Sequence, residues 1–150
     1  MSKILIAFEN KIIPWRLFYM LDLLKSIPLV EGISEPNGKG EIAMKIADLS
    51  AKGYSCNFYW ILAIHLVDSC DFSLETLCYV SCLLGGHHDI HDFSCYISDE
   101  KSWLCCVYDK KISAEVMAKE MEIHVALTRY FRYLILSKQH PCQVKEYEAI

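Results

Sequence analysis

The residues of this chain that could do chemistry gather in one stretch. Cys82, His87, His88, His91 and Cys95 follow one another as Cys-x4-His-His-x2-His-x3-Cys. Thiolate and imidazole are ligands that zinc prefers, and a structural zinc site takes four of them. This spacing matches none of the short-loop patterns that hold tetrahedral zinc. Polar histidines are also what a solvated loop between a helix and a strand carries, so the expectation is such a loop and no metal site. Cys78 and Cys82 stand one helical turn apart, but Cys-x3-Cys is not the spacing of thioredoxin-like redox pairs, and their apolar neighbours favour packing. Cys105 and Cys106, adjacent on a strand, would point to opposite faces and could not act together. Cys95 with His91 as its base would still need an orienting group. Glu120 and His124 share a helix face, yet Met121 and Ile123 beside them point to packing. No phosphate-cradling glycine loop, dinucleotide fingerprint or His-Glu-x-x-His occurs. The chain is therefore expected not to be an enzyme and to need no cofactor. A small zinc- or thiol-dependent enzyme or regulator using Cys82–Cys95 is the competing reading.

The bulk numbers narrow the partners. The 150 residues carry a net charge of −4, and the basic residues are scattered. A nucleic-acid binder would carry a basic stripe, so no nucleic acid is expected. An apolar fraction of 53% suits a folded domain that buries about 70% of its surface, with apolar area left for an interface. No run reaches the roughly 18 apolar residues of a membrane span; Phe58–Val67 is too short and carries His65, so no membrane is expected. Met1–Trp15 contains Glu9, Asn10 and Pro14 and has no clean apolar export core. The eight cysteines are thus expected to be free thiols, mostly buried, of a cytoplasmic protein. On that reading, Cys78→Ser or Cys82→Ser would bury a hydroxyl and cost stability.

These residues must be positioned by a single domain over 1–140, with a frayed tail at 141–150 beyond Pro141. Trp15–Lys25 reads as a helix opened by Pro14 and stopped by Pro28. Three strands are expected next: a weak one at Leu29–Glu35, an alternating one at Glu41–Asp48, and Tyr54–Val67, apolar on both faces. Asn37–Gly40 and Ala51–Gly53 supply the turns between them. Asp71 or Ser73 caps a helix over Leu74–Leu84 that Gly85-Gly86 ends, apolar nearly all round and so buried on more than one side. Strands Phe93–Ser98 and Ser102–Asp109 form a hairpin over Asp99–Lys101. Ser113 caps a long helix from Ala114 to about Ser137, with Val116, Ile123, Leu127, Tyr130 and Leu134 as its apolar stripe, joined by Met117, Met121, Phe131 and Ile135. The order α-β-β-β-α-β-β-α with short strand connections means an α+β fold whose twisted antiparallel sheet is packed by helices.

That order and several strings resemble the class I type III secretion chaperones, the Tir-chaperone-like family. The similarity runs from Trp15 to Ser137. It is clearest in the aromatic strand NFYWILAIHL, the apolar helix ending at Gly85-Gly86, the hairpin FSCYISDEKSWLCCVYDKKI and the closing helix AEVMAKEMEIHVALTRYFRYL. The resemblance implies a bacterial cytoplasmic homodimer that holds an extended N-terminal segment of a secreted effector in a secretion-competent state. It brings no catalytic residues.

Two surfaces follow as expectations. Leu29–Glu35, short and flanked by Pro28 and Pro36, is the expected sheet edge, where a partner strand could add. Effector-binding pockets would be lined by Trp15, Phe18 and Tyr19 of the first helix, by Leu29 and Ile33, and by Ile42, Met44 and Ile46 of the neighbouring strand. The dimer contact is expected at Leu77 and Leu83 of the second helix with Trp103, Leu104 and Tyr108, because both elements carry more apolar faces than one core can cover.

Overall fold

The computed structural model describes residues 15–68, 73–86 and 93–139, with side chains from 20 to 137 of that range. Helix α1 spans Trp15–Lys25. Beyond it, the amides of Ile27 and Val30 donate to the carbonyls of Leu24 and Ile27, and the chain turns into the short strand β1, Val30–Glu31. Strands β2 (Ile42–Ile46), β3 (Leu49–Ser55) and β4 (Tyr59–Asp68) continue as a meander. Helix α2 (Leu74–Gly85) leads to the hairpin of β5 (Phe93–Ser98) and β6 (Lys101–Asp109), and helix α3 (Ala114–Gln139) closes the fold. The strands form one sheet in the order β1-β2-β3-β4-β6-β5, every neighbouring pair antiparallel. The α+β class and the antiparallel sheet are as expected; the proposed tail lies outside the described residues.

The sheet has six strands where the sequence suggests five. Ala51-Lys52-Gly53, expected as a turn, is the middle of β3. The chain turns earlier, at Ala47 (φ 48°) and Asp48 (φ 67°), and Asp99 (φ 55°) and Glu100 (φ 61°) do the same between β5 and β6. Two consecutive left-handed residues match the twist of the flanking strands, the geometry usually supplied by Asn-Gly. Tyr54–Val67 is likewise not one strand: it breaks at Cys56–Phe58, where the Cys56 amide donates to the Tyr59 carbonyl at 2.8 Å.

One face of the sheet is covered by the helices. Ile42, Met44, Ile46, Trp60, Leu62 and Ile64 pack with Met20 and Leu24 of α1 and Met117, Met121 and Val125 of α3. Leu66 and Leu104 pack with Val80 and Leu84 of α2 and Phe131 and Ile135 of α3. The opposite face carries a small cluster of strand residues alone: Ala63, Trp103 and Cys105, flanked by Ile61 and Tyr96. There the Lys52 ammonium lies 4.4 Å from the Trp103 ring centroid and 5.5 Å from that of Tyr96, within cation–π range.

Two helices present other faces than their sequences suggest. Ser73 caps α2, its hydroxyl accepting from the Thr76 amide at 3.1 Å. Of that helix only Val80 and Leu84 are buried, while Leu74, Cys78, Tyr79 and Cys82 are exposed. The expected burial on several sides is therefore corrected, because a helix beside the edge strand β5 has core on one flank only. Cys78→Ser and Cys82→Ser should each leave the melting midpoint within the range of ordinary surface changes, about 0.5 kcal/mol. Thermal melts of the two variants check this, against the loss that burial would have caused.

On α3 the buried side is Met117, Met121, His124, Val125, Thr128, Phe131 and Ile135. The stripe read from the sequence divides: Met117, Met121, Phe131 and Ile135 are buried and Leu127 and Leu134 pack against the second core cluster, while Val116, Ile123 and Tyr130 are exposed. All of these residues are apolar, so hydropathy does not choose between them. His124 does: its Nε2 lies 2.8 Å from the Leu104 carbonyl, tying its own face to the middle of β6.

Candidate functional site

The outer edge beyond β2 is built from few ladder bonds and several side-chain ones. Val30 and Glu31 pair with Ile46 and Lys45. Gly32 then takes φ 61°, a conformation costly for any residue with a Cβ, and regular pairing stops. The chain stays alongside β2 by other means. The Ser34 amide donates to the Ala43 carbonyl at 2.8 Å, and the Ala43 amide returns a bond to the Ser34 hydroxyl at 3.0 Å. Asn37 Oδ1 accepts from the amides of Lys39 and Glu41, both at 2.9 Å, closing the turn expected at Asn37–Gly40. Leu29–Glu35 is thus the edge of the sheet on this side, as expected.

A groove of about 400 Å³ lies beside this edge. Leu21, Asp22 and Lys25 of α1 form one wall, and Ile33, Ser34, Glu35 and Pro36 the other. Its floor is apolar, and Asp22, Lys25 and Glu35 are exposed at its rim. Of the residues expected to line effector pockets, Ile33 is in the groove. Leu29 is half-buried against the main core. Ile42, Met44 and Ile46 are not pocket residues: each is at most 3% exposed, because strand alternation aims all three into the core under α1 and leaves Ala43 and Lys45 outward. Trp15, Phe18 and Tyr19 are on α1, but their side chains lie outside the described residues. Leu21, Asp22, Lys25 and Pro36 were not anticipated; the one available signal was the i, i+4 spacing of Leu21 and Lys25 on a single flank of the helix.

The expected dimer residues also separate. Leu104 and Tyr108 face the helices and are buried within the single chain, so neither has surface to give a partner. Trp103 lies on the helix-free face. Leu77 and Leu83 are half-buried against the second core cluster.

The buried polar groups serve the fold. The Leu104 carbonyl can only accept, so His124 Nε2 carries the hydrogen and Nδ1 is left to accept from the Tyr108 hydroxyl at 3.4 Å. Burial holds the His124 pKa down at about 4, partly opposed by the Leu104 carbonyl bond. Burial likewise pushes the Tyr108 phenol up. His65 is lowered by burial, with Asp68 opposing from 3.5 Å. Among thiols, burial raises Cys95 to about 12 and Cys105 to about 11, the opposite of what a nucleophile requires. Cys56, Cys78, Cys82, Cys95 and Cys105 are free thiols, and the Cys106 thiol donates to the Val107 carbonyl at 3.8 Å. Cys70, Cys142 and the histidines His87, His88 and His91 lie outside the described residues. Among the described residues, no group of three or more His, Cys, Asp or Glu could hold a metal ion.

No family model matches the chain. It is 31% identical over 117 residues to Salmonella pathogenicity island 2 protein C of Salmonella typhimurium in two strains, a match covering 78% of this chain and 88% of that protein. It is also 31% identical over 116 residues to the SpiC homolog of Salmonella typhi, across 77% of this chain and 91% of that one. In three dimensions it matches a chain of the HopA1–SchA chaperone–effector complex with a TM-score of 0.56, over 79% of this chain and 95% of that chain, at 15% identity. At that identity the likeness is one of fold, and at that level the resemblance to class I type III secretion chaperones holds. By its sequence, the chain belongs to the family of Salmonella pathogenicity island 2 protein C.

Proposed function

We propose that the protein is a cytoplasmic type III secretion chaperone that captures an extended, partly apolar segment near the N-terminus of a secreted effector. The observation that carries this reading is the sheet edge at Leu29–Glu35 with a groove of about 400 Å³ alongside it. An edge offers backbone donors and acceptors to an added strand, and a neighbouring apolar groove takes alternate side chains of that strand. The fold shared with a chain of a chaperone–effector complex and the kinship with a pathogenicity-island protein support the same reading. Self-association into a homodimer belongs to it.

The test is capture of N-terminal segments from the secreted effectors of the same cell, co-expressed with the protein. Ile33→Glu and Leu21→Arg should each weaken capture tenfold or more, on the order of a hot-spot loss. Hydrogen exchange on the bound wild type should gain protection at Leu29–Pro36. Unchanged capture by both variants, or protection appearing only on the β5 side of the sheet, would refute the assignment.

A further inference from the structure

The face of the sheet away from the helices carries a buried cation without an anion. The strand register aligns Lys52 of β3 with Ala63 of β4, Cys105 of β6 and Ser94 of β5. The last three side chains are small, so the row is a trough across the sheet. His65, Trp103 and Tyr96 make the next row on one side of it, and Tyr54 and Ile61 pair on the other. The Lys52 ammonium lies over the Trp103 and Tyr96 rings, and the residue is only 8% exposed.

The rings do not replace a counter-ion. Their faces attract the ammonium, but its three N–H donors need acceptors. Among the described residues, Lys52 makes no hydrogen bond and no ion pair. Glu41, close enough to act on the Tyr96 phenol, forms none with it. A charge more than nine-tenths buried is ordinarily paired, so the missing acceptor comes from outside the domain.

The surroundings select the anion. The Tyr54 and Tyr96 hydroxyls are engaged with each other, and Tyr54 also with the Cys105 thiol. Trp103 Nε1 already donates to the Ser98 carbonyl at 3.3 Å. A phosphate is held by several donors at once and would find one here. A single carboxylate on an apolar stem finds the ammonium for its charge and the apolar trough for its stem.

We propose that this face docks an extended segment of another protein through one glutamate or aspartate side chain, which pairs with Lys52. The surface lies across the sheet from the α1 wall of the groove at Leu29–Pro36, and the inference does not depend on capture there.

The experiment is an NMR titration of the full chain, read at the Trp103 indole N–H. The probes are acetyl-Thr-Val-Glu-Val-Thr-amide, the same peptide with glutamine for glutamate, and glutarate. The wild type should bind the glutamate peptide at least about tenfold more tightly than the glutamine one. Lys52→Met keeps the stem over Trp103 and should bind both peptides alike, while melting at or above the wild-type temperature, because an unpaired buried charge has gone. Ile33→Glu should leave the titration unchanged, which separates this surface from the groove. Equal binding of the two peptides by the wild type, or no binding of either, would overturn the proposal. Glutarate binding as tightly as the glutamate peptide would reduce the trough to a site for a free anion and overturn the docked segment. A Lys52→Met variant that melts below the wild type and keeps its preference for glutamate would show that Lys52 serves the fold alone, and would overturn the assignment.

Discussion

Acidification from pH 7 to pH 4 should weaken the fold by roughly 3 kcal/mol through His124 alone. The imidazole is wholly buried between α3 and β6, with its pKa held at about 4 by burial, against 6.5 when unfolded. Between those values the unfolded chain binds a proton that the folded chain refuses, so stability rises with pH there. The contribution is complete above pH 6.5 and is lost as the pH falls towards 4. His65, also lowered by burial, acts in the same direction. Urea unfolding at half-unit steps of pH checks this. His124→Gln should keep a donor for the Leu104 carbonyl, cost about 1 kcal/mol at pH 7 and flatten the slope between pH 6.5 and 4.5. A wild type equally stable at pH 7 and pH 5, or a glutamine variant with the wild-type slope, would rule this out.

Replacement of Gly53 by alanine should cost about 1–3 kcal/mol, and by valine more. A Cβ there would lie 2.6 Å from Met20 Cε, 2.8 Å from Leu62 Cδ2 and 3.2 Å from Met44 Cε. The methionine ends can bend, but all three side chains are at most 3% exposed, and a packed interior has little room to receive them. Gly38 is the control: nothing lies within 4 Å of an added Cβ, and alanine there should stay within about 0.5 kcal/mol. Thermal melts decide it, and a Gly53→Ala variant that melts with the wild type would show that α1 rides higher above β3 than described.

Gly53 also shows where the sequence misleads. A glycine between two strand-like runs reads as a turn when only chain neighbours are considered, but its reason lies in α1, more than thirty positions earlier. The true turn, Ala47-Asp48, carries no glycine to announce it. The local elements are easier to read: Trp15–Lys25 matches α1 end for end, and the last hairpin differs from its observed span by one residue. Faces are harder, because Ile42, Met44 and Ile46 look the same whether they line a pocket or a core. The apolar residues of α3 read as one broad stripe, and the hydrogen bond that His124 makes marks which of them face the sheet. Of the candidate site, the edge at Leu29–Glu35 is legible from its prolines and its weak pairing potential. The groove is not, since its α1 wall is set by how that helix crosses the sheet.

The strand order bears on how the chain is made. The first four strands pair with their immediate neighbours and can form as each hairpin emerges. The pairing of β4 with β6 is different: Tyr59 waits for Asp109, fifty positions later, and Asp68 for Lys101, thirty-three later. Such non-local closure is slow, and the apolar faces it needs stay open meanwhile. Met117, Met121 and Phe131, which cover those faces, come later still. During synthesis the nascent chain therefore exposes the same kind of apolar strand surface that the finished protein is proposed to shield in its effector.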